Sequence, residues 1–314
     1  MARVSCRLVT GPLHPLMPSG EQHEISHDGQ RAVIVEVGGG LRTYETADGP
    51  LLDGYAIDEM CSGGRGQVLI PWPNRVRDGR FEFAGAGHQL ILTEPEAHNA
   101  IHGLVRWGNW QLASRTSDRV VVEHVLHAQP GWPWPLSFQI EYALGDGGLT
   151  VTTTATNVGA QDCPYGAGQH PYLTLGGESV DSIVLRAPGR RYLEADERGI
   201  PIADHDVRGT RFDYTEPREL GPAVLDTGYS DLQRDDDGLA RVVIESGRRA
   251  TLWVDEGYGY LMVFTGDTLA PARRRRGLAV EPMTCAPNAL QSGDGLVVLE
   301  PGARHRARWG ITPG

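Results

Sequence analysis

Apolar and polar residues alternate along this chain in short runs with a two-residue period, the pattern of half-buried strands. Arg31-Ala32-Val33-Ile34-Val35-Glu36-Val37 runs up to Gly38-Gly39-Gly40, and Tyr55-Ala56-Ile57 repeats the pattern on a smaller scale. Further strands are predicted at Thr150 to Thr156, Arg241 to Ile244, Thr251 to Val254 and Leu261 to Phe264, the last compact, apolar and central. Turn residues recur at roughly 8–12-residue intervals, the spacing of a sandwich or barrel. Asp235-Asp236-Asp237-Gly238 reads as a hairpin turn, because Asp-Gly suits positive φ. No segment sustains a 3.6-residue apolar period over three turns, so helices should be short and peripheral. With no repeat, low-complexity tract or linker, residues 1-314 read as a single large antiparallel all-β domain.

Composition sharpens this picture. Forty-one Gly and 21 Pro among 314 residues fit many turns and few long helices, and 40% hydrophobic residues supply a large core. A net charge of -11 argues against nucleic acid or an anionic membrane surface as partner. The one basic run, Arg273-Arg274-Arg275-Arg276 after Pro271, is expected to top a solvated loop. Met1 to Gly20 holds no continuous apolar stretch, and no run approaches the ~18 apolar residues of a membrane span. Cys6, Cys61, Cys163 and Cys285 are scattered without a C-x-x-C pair and read as reduced thiols. A cytoplasmic location is expected, with the chain working as a monomer or homodimer.

Candidate chemistry sits where strands end beside Gly or Pro. Leu278-Ala279-Val280 leads directly into Glu281, and Pro282 should stop regular pairing there. Braced by Pro282 and Pro287, a carboxylate at a strand end has the fixed position a general base needs. Val68-Leu69-Ile70 reads as a buried strand before Pro71-Trp72-Pro73, from which Asn74 and Arg75 emerge together. An amide beside a guanidinium offers sugar hydroxyls donors and an acceptor in fixed planes. His102-Gly103 leaves room for a ligand beside the imidazole, in a stretch continuing to Arg106-Trp107. In Gly168-Gln169-His170-Pro171-Tyr172-Leu173 the histidine, with an ordinary pKa near ~6.5, can donate or accept at neutral pH. Val224 to Leu232 carries two carboxylates, Asp226 and Asp231.

Other chemistries lack their patterns. No H-x-H or H-E-x-x-H spacing points to a metal, no G-x-S-x-G elbow to a serine hydrolase, and no Walker A or dinucleotide fingerprint to a nucleotide. No metal or other cofactor is expected.

Taken in order, Asn74-Arg75, His102-Gly103, His170-Pro171-Tyr172, Asp226 and Glu281-Pro282 resemble the aldose 1-epimerase (galactose mutarotase) family along nearly the whole chain. Leu299-Glu300-Pro301-Gly302 and the alternating His305 to Ile311 resemble the family's closing strand. The resemblance implies a large antiparallel β-supersandwich with an open sugar cleft. It implies that His170 is the general acid and Glu281 the base, while Asn74, Arg75, His102, Tyr172 and Asp226 hold sugar hydroxyls. Asp226, followed by Thr-Gly-Tyr, fits the family pattern better than Asp231 does. Better-known members have Asn before the catalytic His and Tyr-Phe-Asn-Leu after it; here Gln169 precedes and Pro171-Tyr172-Leu173 follows. Those departures leave the acid–base pair intact but open the choice of sugar.

The implied reaction interconverts the anomers of a free aldose such as glucose or galactose. A hexose-6-phosphate epimerase is an alternative, with Arg106 as the phosphate partner; so is a sugar-binding protein of the same fold without turnover. Only Arg75 and Arg106 are basic within the cleft motifs, and Arg106 is expected to face solvent or pack on Trp107.

Overall fold

Strict alternation builds the longest strands. In Leu136–Gly145 the residues Leu136, Phe138, Ile140, Tyr142 and Leu144 are buried while their neighbours are exposed or half-buried. This strand pairs with Gly148–Asn157 along its whole length, and Gly148–Asn157 pairs in turn with the closing strand Arg304–Pro313. These three sit in a nine-stranded antiparallel sheet that also contains Ala240–Glu245 and Arg249–Val254. The computed structural model describes residues 16–314, so Cys6 and the Met1–Pro15 stretch lie outside the described residues.

A second antiparallel sheet, of eight strands, carries the chemistry. Its order runs Pro201–Asp206, Gly189–Ala195, Asp226–Leu232, Tyr260–Phe264 and Leu278–Met283, and then the short pieces Gly168–Gln169, Tyr172–Leu173 and Val68–Leu69. Side chains of both sheets enter one buried cluster, with Val242, Ile244 and Leu252 from the first and Leu261, Val263 and Val280 from the second. The architecture is the all-β supersandwich. Among the described residues helix is confined to single turns, Val180–Ser182 and Ala289–Ser292.

Four local expectations need correction. Pro282 does not end its strand: Leu278–Met283 is buried at every position, and Pro282 faces Leu261. Amide groups of alternate residues point the same way, and Val280 donates to the Pro171 carbonyl while Thr284 donates to that of Ala167. In the same register Pro282 faces Gln169, so its missing N–H removes one donor from the ladder while pairing continues on both sides of it. Tyr55-Ala56-Ile57 is a turn, because the Ala56 amide donates to Glu59 and Arg42 donates to the Tyr55 carbonyl. Asp235 to Gly238 does turn, with Gly238 at φ +80°, but it leads from the eight-stranded sheet into the nine-stranded one and joins no paired strands. The arginine run is only half solvated: Arg274 and Arg276 are exposed, whereas Arg273 reaches Glu59 and Asp53, and Arg275 clamps Asp181 and Asp267.

Candidate active site

Gly168 faces Met283 and Tyr172 faces Ala279, so a single register carried between them sets His170 opposite Glu281. Facing residues project from the same side of a sheet, and His170 Nε2 lies 3.3 Å from Glu281 Oε1. His170 has no freedom to leave this position. Its amide donates to Gln67, its carbonyl accepts from Gly66, and its ring stacks on Tyr172 at 4.9 Å and 10°. Gly64 closes over the other side; a Cβ there would stand 2.6 Å from His170 Cδ2.

The same sheet delivers the aspartate. Glu281 faces Met262, and Met262 faces Gly228. Asp226 precedes Gly228 by two and shares its face, whereas Asp231 lies an odd number of positions along and points the other way. Asp231 instead pairs with Arg190. Asp226 is the carboxylate that meets the cleft.

Asn74 and His102 arrive as a unit. Arg75–Arg77 pairs with Asn99–Ile101, and beyond that ladder both Asn74 and His102 take left-handed backbone, φ +55° and +63°. The His102 amide donates to the Asn74 carbonyl, and the Asn74 amide donates to His102 Nδ1 at 3.2 Å. Gly103 is obligatory here: at φ +69° its Cβ would lie 2.0 Å from the Ile70 carbonyl oxygen. Arg75 is fixed by a two-pronged contact with Glu94, Nε to Oε2 at 2.8 Å and Nη2 to Oε1 at 2.9 Å.

These residues line a cavity of about 370 Å³. His170 and Glu281 lie at its floor, 5% and 2% exposed. Glu281 Oε2 and His170 Nδ1 are buried without a hydrogen-bond partner among the described residues. Such orphans cost about 1–3 kcal/mol each and call for an explanation; a polar ligand supplies one for a cleft-facing atom.

Burial dominates the electrostatics. It pushes the Glu281 carboxyl well above the ordinary range, aided by Asp226 and opposed by Arg75. It pushes His170 down to about 3, with Arg65 and Arg106 acting the same way. His102 is pushed down by burial and by His170, Arg106 and Arg75. Both shifts favour the neutral forms of the facing pair, a protonated carboxyl beside a neutral imidazole. Asp226 is exposed at the start of its strand, yet the crowding of the cleft walls around it raises its carboxyl, with Arg75 opposing.

His102, His170 and Glu281 come within 4.8 Å of one another, a cluster the sequence spacing did not anticipate. It is poorly built for a cation. His102 Nδ1 accepts from a backbone amide, so the neutral ring carries its proton on Nε2 and has no lone pair left for a metal.

One predicted role changes. Tyr172 spends its hydroxyl on the Gly63 carbonyl at 2.7 Å, so its ring positions His170 and its oxygen is already engaged. Arg106 packs over the Trp107 ring, 5.8 Å from its centroid, as one of its two expected placements has it, and is half-buried at the cleft wall. Sequence reasoning missed Glu94, Gln67, the Gly63-Gly64 loop and Arg65. Arg65 is buried, bonded through Nε and Nη2 to Asp53, and lies 4.4 Å over Tyr172. The one available signal was the glycine density of Gly63-Gly64-Arg65-Gly66.

Comparison with known proteins agrees with this geometry. The model of the aldose 1-epimerase family matches residues 21–312. The Escherichia coli (strain K12) protein YihR is 31% identical over 312 residues, covering 99% of this chain and 98% of that protein. Two solved structures share the fold: a putative aldose 1-epimerase from Escherichia coli K12 (TM-score 0.81, 21% identity, 94% of this chain and 99% of that one) and galactose 1-epimerase from Lactobacillus acidophilus (TM-score 0.77, 20% identity, 93% and 95%). A family match running from the first sheet to the closing strand, over a facing His–Glu pair in a polar cleft, makes this chain a member of the aldose 1-epimerase family.

Proposed function

We propose that the protein is a mutarotase, interconverting the α and β anomers of an aldose such as glucose or galactose by opening and reclosing the ring. The observation that carries this reading is the buried His170–Glu281 pair, held 3.3 Å apart by one strand register. Anomer exchange needs one group to take the C1 hydroxyl proton and another to protonate the ring oxygen. Glu281 is the base and His170 the acid. Burial favours the proton on Glu281, so the working pair forms when that proton crosses to His170 as the sugar binds, assisted by Arg75, which favours the carboxylate. The ring opens to the aldehyde, turns about C1–C2 and recloses with the roles reversed. Proton transfer by a positioned group contributes typically ~10²–10⁴-fold.

Asn74, Arg75, His102 and Asp226 hold the sugar hydroxyls. Asn74 Oδ1 accepts from the Arg75 amide, leaving Nδ2 free to donate, and His102 presents Nε2–H. Tyr172 keeps His170 in place. Nothing in this chemistry calls for a metal or nucleotide. The buried, unpaired thiols of Cys61, Cys163 and Cys285 suit a reducing compartment, and we place the protein in the cytoplasm. The test is anomer exchange of free aldoses followed by NMR. A sugar that binds without accelerated exchange would make this a binding protein.

Arg106 favours a second reading, an aldose bearing an anionic group such as a 6-phosphate. Its guanidinium lies in the cleft wall with no carboxylate in ion-pair range among the described residues, and burial lowers its pKa. An unpaired, partly desolvated cation gains from an anion.

A further inference from the structure

Behind Tyr172 lies a charge that the proposed chemistry does not use. Arg65 is buried, and its Nε and Nη2 both donate to Asp53 Oδ2, at 3.1 and 3.0 Å, while Nη1 donates to the Ser62 carbonyl. Neither Arg65 nor Asp53 lines the catalytic cavity. Taking two charges out of water is costly, and a buried ion pair is weak evidence of stability. This pair instead reaches the acid by two routes. Through side chains, the Arg65 guanidinium carbon lies 4.4 Å from the Tyr172 ring centroid, and that ring stacks on His170 at 4.9 Å and 10°. Through the backbone, the Asp53 amide donates to the Tyr172 carbonyl, and the amide of Gly66, next after Arg65, donates to the His170 carbonyl.

We propose that Asp53 and Arg65 are positioning residues for the acid, holding the Tyr172 ring, and through it the His170 imidazole, in the orientation that faces Glu281. The inference rests on the mutarotase reading and adds two residues to its machinery. Asp53 fixes the guanidinium, and the guanidinium is attracted to the aromatic face. The Tyr172 hydroxyl, bonded to the Gly63 carbonyl at 2.7 Å, stops the ring from sliding. With the ring so held, His170 keeps its place while its proton comes and goes.

An arginine suits this task. Its guanidinium is planar, stacks on aromatic faces and makes several hydrogen bonds in one plane, which an ammonium does not. The mount is fixed from outside as well. Arg273, from the basic run, lies 3.6 Å from Asp53 Oδ1, donates to the Gly54 carbonyl at 3.0 Å and reaches Glu59 at 2.7 Å. Asp53 is thus held between a buried arginine and a partly exposed one, and the basic run gains a part in a site it does not line.

The experiment measures kcat and KM for anomer exchange of glucose and galactose, together with the NMR resonances of the His170 ring protons. It compares wild type, Arg65→Lys and the double variant Asp53→Asn, Arg65→Gln, whose two amides leave no lone charge buried. Val242→Ala, in the core of the nine-stranded sheet, is the control for lost stability alone. In the double variant kcat is expected to fall about tenfold, within the scale of a misplacement below about 1 Å, with KM unchanged within about twofold. The His170 resonances, which report its stacking on Tyr172, should shift. Arg65→Lys, which keeps a cation, should lie between, and Val242→Ala should match wild type in both readouts. Wild-type kcat in a folded double variant overturns the proposal, and so does a loss confined to KM or one that leaves the resonances unmoved. If the double variant does not fold, Arg65→Lys decides by the same two readouts. If wild type turns over no sugar, the mutarotase reading falls. The resonances then decide the proposal: shifted His170 signals in the double variant support it, and unshifted ones overturn it.

Discussion

His170 and Glu281 face each other across one antiparallel register, with His170 Nε2 3.3 Å from Glu281 Oε1. Acid and base are thus one unit, set by backbone pairing and not by loop closure. Glu281→Gln removes the proton acceptor at almost constant shape and should lower kcat by at least ~10²-fold while sugar binding persists. His170→Asn should do the same. Because either loss disables the whole relay, the double variant should be little slower than the worse single one. Polarimetric exchange rates with NMR binding controls check this; losses that multiply would show two independent groups.

The titration of the pair has a sign that can be checked. An ordinary histidine acid would bend the pH profile of kcat/KM near ~6.5. Here burial holds His170 down to about 3 and raises Glu281 well above its usual range, so both groups are pushed towards their neutral forms. No inflection near pH 6.5 should arise from His170, and one assigned to it would show that the imidazole is not held neutral. Stability gives a second reading. With its folded pKa raised, Glu281 stays protonated in the native state while the unfolded chain ionises above ~4.5, which costs stability as pH rises. Glu281→Gln should therefore melt higher than wild type at pH 8, by a margin that narrows towards pH 5. Equal melting temperatures at both pH values would show that the carboxyl is not held neutral.

Much of this was legible in the sequence, and the parts that were not share a cause. Strands such as Thr150 to Thr156 and Leu261 to Phe264 declare themselves by period and apolarity. The end of a strand at Pro282 was misjudged because a single missing donor, opposite Gln169, does not outweigh the pairing on both sides of it. Asp226 and Asp231 were inseparable by composition yet separate at once by sheet face. Glu94 and Arg65 carry no periodic mark at all. Their roles exist only once Arg75 and Tyr172 have been brought beside them.

Gly64 supplies a test of that hidden support. At φ +75°, with a Cβ that would meet His170 Cδ2 at 2.6 Å, it admits no side chain without moving the imidazole. A displacement of about 1 Å at a reacting group can cost ~10²-fold. Gly64→Ala should lower kcat by ten- to a hundredfold, the φ strain alone costing about 1–3 kcal/mol of stability. Exchange kinetics together with a denaturant melt check it; wild-type kcat would mean that the loop, and not the histidine, gives way.

Chelation tests the reading of the His102, His170 and Glu281 cluster. A backbone amide already occupies His102 Nδ1, which leaves two ligands where a catalytic metal usually has three. Activity should survive exhaustive chelation and dialysis. Loss of exchange restored by one divalent metal would mean that the His102 ring turns over to present a lone pair.

Arg106 decides which sugar the cleft prefers. Net charge is -11, and a phosphate dianion usually needs more than one basic group. Arg75 is bound to Glu94, and Arg65 is sealed behind Tyr172 against Asp53, so Arg106 would meet such a group alone. One half-buried guanidinium is a thin site for a dianion. Free hexose should therefore turn over with the higher kcat/KM. Arg106→Ala should change the preference for glucose over glucose 6-phosphate by less than about threefold, a small step on the scale where 1.4 kcal/mol is tenfold. Its unpaired place in the cleft wall nonetheless makes the opposite outcome informative. If wild type prefers glucose 6-phosphate and Arg106→Ala abolishes that preference while glucose turnover persists, the anionic sugar is the substrate. The loss would then appear in KM for the phosphate and not in kcat, because Arg106 would hold a group remote from C1 in ground and transition states alike.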